Sequence, residues 1–407
     1  NLEDPEEQVY LYADIFSGEL PKERSEFYQY PFLRREEVST VPHWLKHAVV
    51  YNIFPDSFAS GYRTIDREAG ESLWQRGLTL RSRLGGTIRG ITENLDYIAD
   101  LGFNCLYLNP LFVAGGDHKY DILDYHHVCP NMGTDEDFRE LVAAAHQKGL
   151  RVVIDGVFNH CSWQFFAFDD VVRNGEGSRY KDPESVMIGE IWESAESWLR
   201  GDMFDSAMNY DFRKNCRDFF GLEAINAREF SARVTDMMYR YPTGILQGQL
   251  NLLDSHDVNR FLSYCRGDIR RFRLAEVFLF TSPGAPSVFY GDELGMDGNS
   301  EFTLRGPMPW NTPRHDERAF FKSLTALRRD NEALATGSFR AVYADEKGLM
   351  VYRRALPGQR ITVALNGRND TVSVAAHVPS DTPALSDSFA NGSLGAFGYA
   401  VFVEKAR

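Results

Sequence analysis

Val186-Met-Ile-Gly-Glu-Ile-Trp192 sets three apolar residues ahead of a glycine, a glutamate and an indole, and the fold follows from how that run is read. Three consecutive apolar residues fit a strand buried on both faces, as in a parallel sheet. Glu190 then stands at the C-terminal end of the strand, where a barrel of parallel strands carries its chemistry. A carboxylic acid held between an aromatic ring and an apolar strand loses solvation of its charged form. Its pKa rises and it becomes a proton donor near neutrality. The same residues also suit a strand-end glutamate in a salt bridge, so the stretch needs the rest of the chain to decide it.

Outward from Glu190 the pattern repeats. Ala48–Phe54, Asn104–Pro110 and Arg151–Val157 read as buried strands before it, and Ser206–Tyr210, Gly248–His256 and Pro286–Glu293 after it. Amphipathic helices lie between them. One begins at Thr92, carries Leu95, Ile98, Ala99 and Leu101 on one face and stops at Gly102. Another opens on the capping box Thr134-Asp-Glu-Asp137 and closes at Gly149. Alternating buried strands and helices mean a parallel α/β sheet.

The strands number seven, whereas a closed (β/α)8 TIM barrel needs eight. The shortfall can be located, because only 28 residues separate Val157 from Val186 and none of them form an apolar run fit for a strand. Tyr180 to Pro183 is where a strand and the segment around it are expected to be missing. A barrel lacking one strand would expose two unpaired edges. Residues 1–45 are polar and broken by prolines and read as a linker or the remnant of an N-terminal domain. Residues 46–336 form the barrel, and 337–407, with short alternating strands and Gly and Asn turns, a C-terminal antiparallel β-sandwich domain.

Composition narrows the partners. A formal net charge of −14 without a basic patch argues against nucleic acid and anionic membranes. No apolar run is long enough to span a bilayer. The five cysteines, Cys105, Cys129, Cys161, Cys216 and Cys265, are scattered and odd in number. They read as reduced thiols of a cytoplasmic protein. The chain opens at Asn1 rather than Met, so a removed signal peptide, and with it secretion, stays open beside that reading.

Polar residues gather at three strand ends: Asp155-Gly-Val-Phe-Asn159-His160, Glu190 with Trp192, and Asp254-Ser-His256-Asp257 with Arg260. Singly each has an ordinary structural explanation, His256 as a bonded core histidine and Asp257 with Arg260 as an ion pair. Three such ends facing one cleft are harder to explain as packing, since burying them unsatisfied costs several kcal/mol. Together with Gly85-Gly-Thr-Ile-Arg-Gly90, His118-Lys-Tyr-Asp-Ile-Leu-Asp-Tyr125, Trp198-Leu-Arg-Gly-Asp202, Met208-Asn-Tyr210 and Tyr290-Gly-Asp-Glu293, these motifs resemble the α-amylase superfamily, glycoside hydrolase family 13. Within it they look most like the cyclomaltodextrinase, neopullulanase and maltogenic amylase group.

The resemblance implies a retaining hydrolase of α-1,4-glucosidic bonds in maltooligosaccharides, cyclodextrins or starch-type glucans, with some transglycosylation and no required cofactor. Glu190 would be the general acid/base and Asp257 the second carboxylate. His118, His160 and His256 would meet the reacting sugar and Tyr120 would stack on it. Asp155 and Asn159 would shape the site from below, Trp192 would line the leaving-group side, and Arg260 would bind there or brace the loop. Relatives of this group often dimerise through an N-terminal β domain, so a homodimer is expected of a longer form.

One departure matters. The family's nucleophile is an aspartate at the end of strand four in a Gly-x-Arg-x-Asp motif, and no such motif occurs between His160 and Glu190. The nucleophile is absent at the place where the strand count falls short, so this chain is not expected to hydrolyse as it stands. Some relatives bind Ca²⁺ after the first strand, but Asp56-Ser-Phe-Ala-Ser60 offers few oxygens against the six to eight that ion takes, and no metal is expected. Two rival readings share the motifs: a non-catalytic binding scaffold, like the amylase-like ectodomains of amino-acid transporter heavy chains, and a sugar isomerase or glucanotransferase of the same superfamily.

Overall fold

Seven parallel strands lie side by side in the spatial order Arg151–Ile154, Cys105–Leu108, Val50–Ile53, Ala285–Phe289, Leu250–Leu252, Ser206–Asn209 and Ile188–Gly189. The structure is a computed structural model and describes residues 42–60, 84–115, 119–157, 188–199, 204–380 and 382–405, with the backbone alone of 2–4, 7–12 and 15–17. That order is the strand sequence of a (β/α)8 barrel opened at one seam. Among the described residues nothing pairs with the outer edge of Arg151–Ile154 or of Ile188–Gly189, and the seam falls where the sequence lacks a strand. Ile154 is 41% exposed there, unlike the apolar residues of the central strands. The segment around Tyr180 to Pro183 lies outside the described residues.

Helices close the outer face. The most deeply buried one, Ile269–Thr281, sinks Phe272, Leu274, Val277, Phe278, Leu279 and Phe280 into the core. Phe278 stacks on Phe212 with centroids 5.3 Å apart, and Phe219 on Phe230 at 4.5 Å. Each fully buried phenylalanine contributes roughly 1.5–3 kcal/mol of apolar burial. The Asp135–Gln147 helix carries the expected capping box between Thr134 and Asp137. The earlier helix starts sooner than the sequence suggested. Thr87, not Thr92, caps Ile88–Glu93 by accepting from the Gly90 amide at 3.1 Å, while the Thr92 hydroxyl donates back to the Ile88 carbonyl at 3.0 Å. A second helix, Leu95–Asp100, follows, and Gly102 ends it at φ +91° with Thr325 packed where a Cβ would sit.

From Ser338 the chain forms an antiparallel sheet of Ser338–Ala344, Leu349–Leu356, Gln359–Asn366, Val372–Ser373, Leu385–Ala390 and Ser393–Lys405. The two-residue period sorts its side chains between two cores. Met350, Tyr352, Ile361, Val363 and Val401 join the main core, while Leu349, Val351, Ala364, Ala400 and Phe402 pack on the far face with Val374 and Leu394. Arg354, 0% exposed, ties this sheet to the barrel. It donates to the carbonyls of Thr281 (2.8 Å), Leu334 (2.9 Å), Gly337 (2.8 Å) and Ser338 (3.0 Å). The N-terminal stretch, read as a linker or a domain remnant, contains three short antiparallel strands, Leu2–Asp4, Glu7–Tyr12 and Ile15–Ser17.

Cys105, Cys129, Cys216 and Cys265 are free and buried, as reduced thiols should be. Cys161 lies outside the described residues. No helix among the described residues is long and apolar enough to cross a membrane.

Candidate active site

The strand Ile188–Gly189 delivers Glu190 to the rim of the opened sheet. Gly189 leaves little room at this point, since a Cβ would stand 3.0 Å from the Phe204 ring and that ring would have to give way. Across the cleft, Leu250–Leu252 runs on to His256 and Asp257. Ligand atoms of Glu190, His256 and Asp257 all lie within 4.8 Å of one another. The two carboxylates therefore face each other, as the strand-end argument requires.

Their surroundings differ. Burial, then the Asp257 charge, push the Glu190 carboxyl up, outweighing the pull of His256 and of the Tyr210 hydroxyl, which donates to Oε1 at 3.2 Å. Burial also works upward on Asp257, but His256 and Arg305 outweigh it and hold that carboxyl below its ordinary range. His256 Nε2 is 2.8 Å from Asp257 Oδ2, and Arg305 Nη2 donates to Oδ1 at 2.9 Å. One acid thus keeps its proton to higher pH while its neighbour stays ionised to lower pH, the division of labour that glycosidic cleavage uses.

A bonded floor fixes these groups. His256 is 1% exposed; its Nδ1 lies 2.9 Å from the Asn109 side-chain amide, and its Nε2 faces Asp257 and the Tyr120 hydroxyl. Tyr120 stacks on His256 with centroids 5.2 Å apart and planes at 13°, so at most one face of its ring is left for a sugar. Asp155, at the end of the third strand, accepts from the hydroxyls of Tyr120 (3.2 Å) and Tyr107 (3.3 Å). Its carboxyl is raised by burial, with His256 and these hydrogen bonds opposing. Trp192, 57% exposed, stacks on Tyr210 at 4.2 Å and 15°, an open aromatic ledge beside Glu190.

Glu190, Asp257, His256, Tyr120, Asp155 and Trp192 are thus brought together. Arg260 is not. It is 0% exposed and donates to the Tyr290 carbonyl (2.6 Å), Asp292 Oδ1 (3.1 Å) and the Leu304 carbonyl (3.0 Å), with its guanidinium over Phe289. It braces the loop from beneath and does not bind substrate. His118, Asn159 and His160 lie outside the described residues. Sequence reasoning missed Arg305, Tyr107 and Asn109. Asn109 and Tyr107 belong to the second strand and its end and could have been found by the rule applied to Glu190. Arg305 follows a short helix, Glu301–Leu304, and nothing local marks it.

Glu190, His256 and Asp257 are also the His and acid trio among the described residues close enough to hold a divalent ion. The arrangement suits a metal poorly, because the His256 nitrogen and the Asp257 oxygens are already engaged by one another, by Tyr120 and by Arg305. Asp56 in the loop after the first strand spends its two carboxylate oxygens on the Leu84 and Gly85 amides, at 2.8 and 3.1 Å.

Comparison with known proteins gives the same picture. The family model described as "Alpha amylase, catalytic domain" matches residues 52–183 and 177–336, two blocks that overlap at 177–183. Neopullulanase 2 of Thermoactinomyces vulgaris is 34% identical over 458 residues, covering 92% of this chain and 78% of its own length. Since 92% of 407 residues is about 374, some 80 positions of that relative have no counterpart here. A cyclomaltodextrinase of Thermoanaerobacter pseudethanolicus is 33% identical across 84% of this chain and 73% of its own. Among solved structures, the Nostoc punctiforme debranching enzyme superposes with a TM-score of 0.75 at 28% identity, covering 89% of this chain and 99% of that one.

Proposed function

The chain belongs to the α-amylase family, in its cyclomaltodextrinase and neopullulanase group, and on that premise we propose that its cleft is built for retaining cleavage of α-1,4-glucosidic bonds in maltooligosaccharides, cyclodextrins or starch-type glucans, with transglycosylation as a side reaction. The observation that carries this reading is the meeting of a raised Glu190 with an ionised Asp257 within 4.8 Å. Glu190 protonates the departing glycosidic oxygen and later takes a proton from water. Asp257, oriented by Arg305 and His256, holds the sugar hydroxyls and offsets positive charge developing on the ring. Tyr120 supports the ring and Trp192 receives the leaving-group sugar.

A retaining enzyme also needs a nucleophilic carboxylate about 5 Å from the acid. Asp257 has both oxygens tied and Asp155 is drawn toward neutrality, so neither substitutes for the aspartate of strand four. The 407-residue chain is expected to bind glucan without hydrolysing it. Grafting the strand-four segment of the neopullulanase relative between residues 157 and 186 should restore hydrolysis of maltotriose or β-cyclodextrin. Glu190→Gln in that graft should lower the rate by about 10²–10⁴-fold. A graft that turns over unchanged after this substitution removes Glu190 from the role.

The absent nucleophile also favours the binding-scaffold reading, which predicts no turnover even in a correctly folded graft. The buried free thiols support placing the protein in the cytoplasm.

A further inference from the structure

Three consecutive carbonyls at the end of the short helix Glu301–Leu304 are each caught by a side chain from elsewhere in the chain. Arg260 Nε donates to the Leu304 carbonyl at 3.0 Å, the Ser57 hydroxyl to that of Arg305 at 2.6 Å, and the Tyr290 hydroxyl to that of Gly306 at 2.7 Å. All three donors are buried. Carbonyls at a helix end lack intrahelical partners, and here side chains satisfy them. The Met308 amide adds a fourth tie by donating to the Ser57 carbonyl at 3.0 Å. Ser57 lies on Pro55–Phe58, a single helical turn directly after the first strand, and this turn grips Arg305 at both ends. Ser57 holds its carbonyl, while Phe54, one residue ahead of the turn, lies under its guanidinium at 5.5 Å. From that root the guanidinium spans the His256 carbonyl at 2.7 Å and Asp257 Oδ1 at 2.9 Å. Such a two-acceptor reach tolerates little movement at its root, because hydrogen bonds weaken steeply once off line.

We propose that Ser57, seconded by Tyr290, is a positioning residue for Asp257: by fixing the carbonyls of Arg305 and Gly306, the two hydroxyls keep the Arg305 guanidinium on the carboxylate that faces the sugar. This inference rests on the reading of Asp257 as the second carboxylate of a glucan cleft. Both residues act at a remove, since their hydroxyls end on main-chain carbonyls. Asp257 is also faced by His256 from its own segment, by Glu190 across the cleft, and by Tyr120 and Tyr210. A change that reaches Asp257 only through Arg305 is told apart from these by removing Arg305. Ser57→Ala and Tyr290→Phe each delete one hydroxyl and leave the rest of the side chain. When Arg305 loses its root, His256 alone opposes the burial of Asp257, and the carboxyl gives up its proton at higher pH.

The test follows the Asp257 carboxyl by NMR in the whole chain labelled with carbon-13 at its aspartate carboxyls, the signal being identified by its loss in Asp257→Asn. Expected is a titration midpoint that moves upward in Ser57→Ala and in Tyr290→Phe, by less than in Arg305→Met. Neither change should move it further when added to Arg305→Met, as a double-mutant cycle requires of groups acting in series. Tyr290→Phe carries the measurement should Ser57→Ala fail to fold. A midpoint that stays at its wild-type value in both variants, or that moves equally with and without Arg305, overturns the proposal. Calorimetric titration with 1-deoxynojirimycin and β-cyclodextrin separates the two levels of the argument. Ser57→Ala should bind the cationic mimic about 2–10-fold more weakly than wild type at the wild-type midpoint, the worth of one hydrogen bond. If wild type binds both sugars and the midpoints do not move, the positioning role of Ser57 fails alone. If the midpoints move as expected and wild type binds neither sugar, the glucan cleft is refuted while the hold on Asp257 stands.

Discussion

Glu190 and Asp257 are chemically alike and lie within 4.8 Å of each other, and what distinguishes them is that Asp257 is held by His256 and then by Arg305. Its guanidinium lies over Phe54 and reaches both Asp257 Oδ1 and the His256 carbonyl, the latter at 2.7 Å. In Arg305→Met, Asp257 keeps only His256 against its burial, so its carboxyl should move upward. Binding of the cationic sugar mimic 1-deoxynojirimycin, which needs the ionised form, should then lose its acidic limb at higher pH than in wild type. Arg305→Lys should bring that limb part of the way back, because it restores the charge without the two-pronged geometry. Titrations that superimpose for all three proteins would show that Arg305 serves only to hold the loop. The same residue shows where a sequence stops being informative. Glu190 could be read from its own strand, whereas Arg305 meets Asp257 across 48 residues of chain. Arg260 was left between binding and bracing the loop for the converse reason: the partners that bury it and decide for bracing, Tyr290, Asp292 and Leu304, come later in the chain.

At the scale of elements, apolar runs located all seven parallel strands, because a strand buried on both faces must be apolar almost throughout. Their ends were less legible. The stretch around Glu190 pairs over only Ile188–Gly189, and the N-terminal strands escaped notice because prolines dominate that stretch. The count nonetheless located the open seam, since a missing strand leaves a gap in a periodic pattern. Ile154 on that seam is an exposed edge position, and Ile154→Lys should reduce self-association in light scattering while changing stability by no more than about 0.5 kcal/mol. Gly102 sets the end of a helix. An alanine there would adopt φ +91° with its Cβ 2.3 Å from Thr325 Oγ1, and Gly102→Ala should cost about 1–3 kcal/mol in urea denaturation.

Across the whole molecule, charge is buried in ways the composition does not reveal. Glu276, 1% exposed on the Ile269–Thr281 helix, is pushed well up by burial and then by Asp254. Below its unfolded pKa both folded and unfolded states carry the proton and the group costs nothing in linkage. As pH rises from there toward the raised folded value, the unfolded state ionises first and stability falls. Glu276→Gln should therefore leave the melting temperature near pH 4 little changed and raise it at pH 8, by an amount corresponding to about 1–3 kcal/mol. A gain equal at both pH values would mean that packing, not ionisation, is responsible. Arg354 has the opposite sign, answering its charge with four carbonyls drawn from the barrel helices and the sheet's own approach. Arg354→Met should make heat unfolding separate into two steps in calorimetry, where wild type shows one.

The open seam has a further consequence for how such a protein changes over time. The residues placed to meet a sugar stand at the ends of described strands, whereas the nucleophile that the family resemblance implies belongs to a fourth strand that the sequence between His160 and Glu190 does not spell out. Recognition of the sugar and commitment to bond breaking are thus assigned to different strands, so a change confined to one can spare the other.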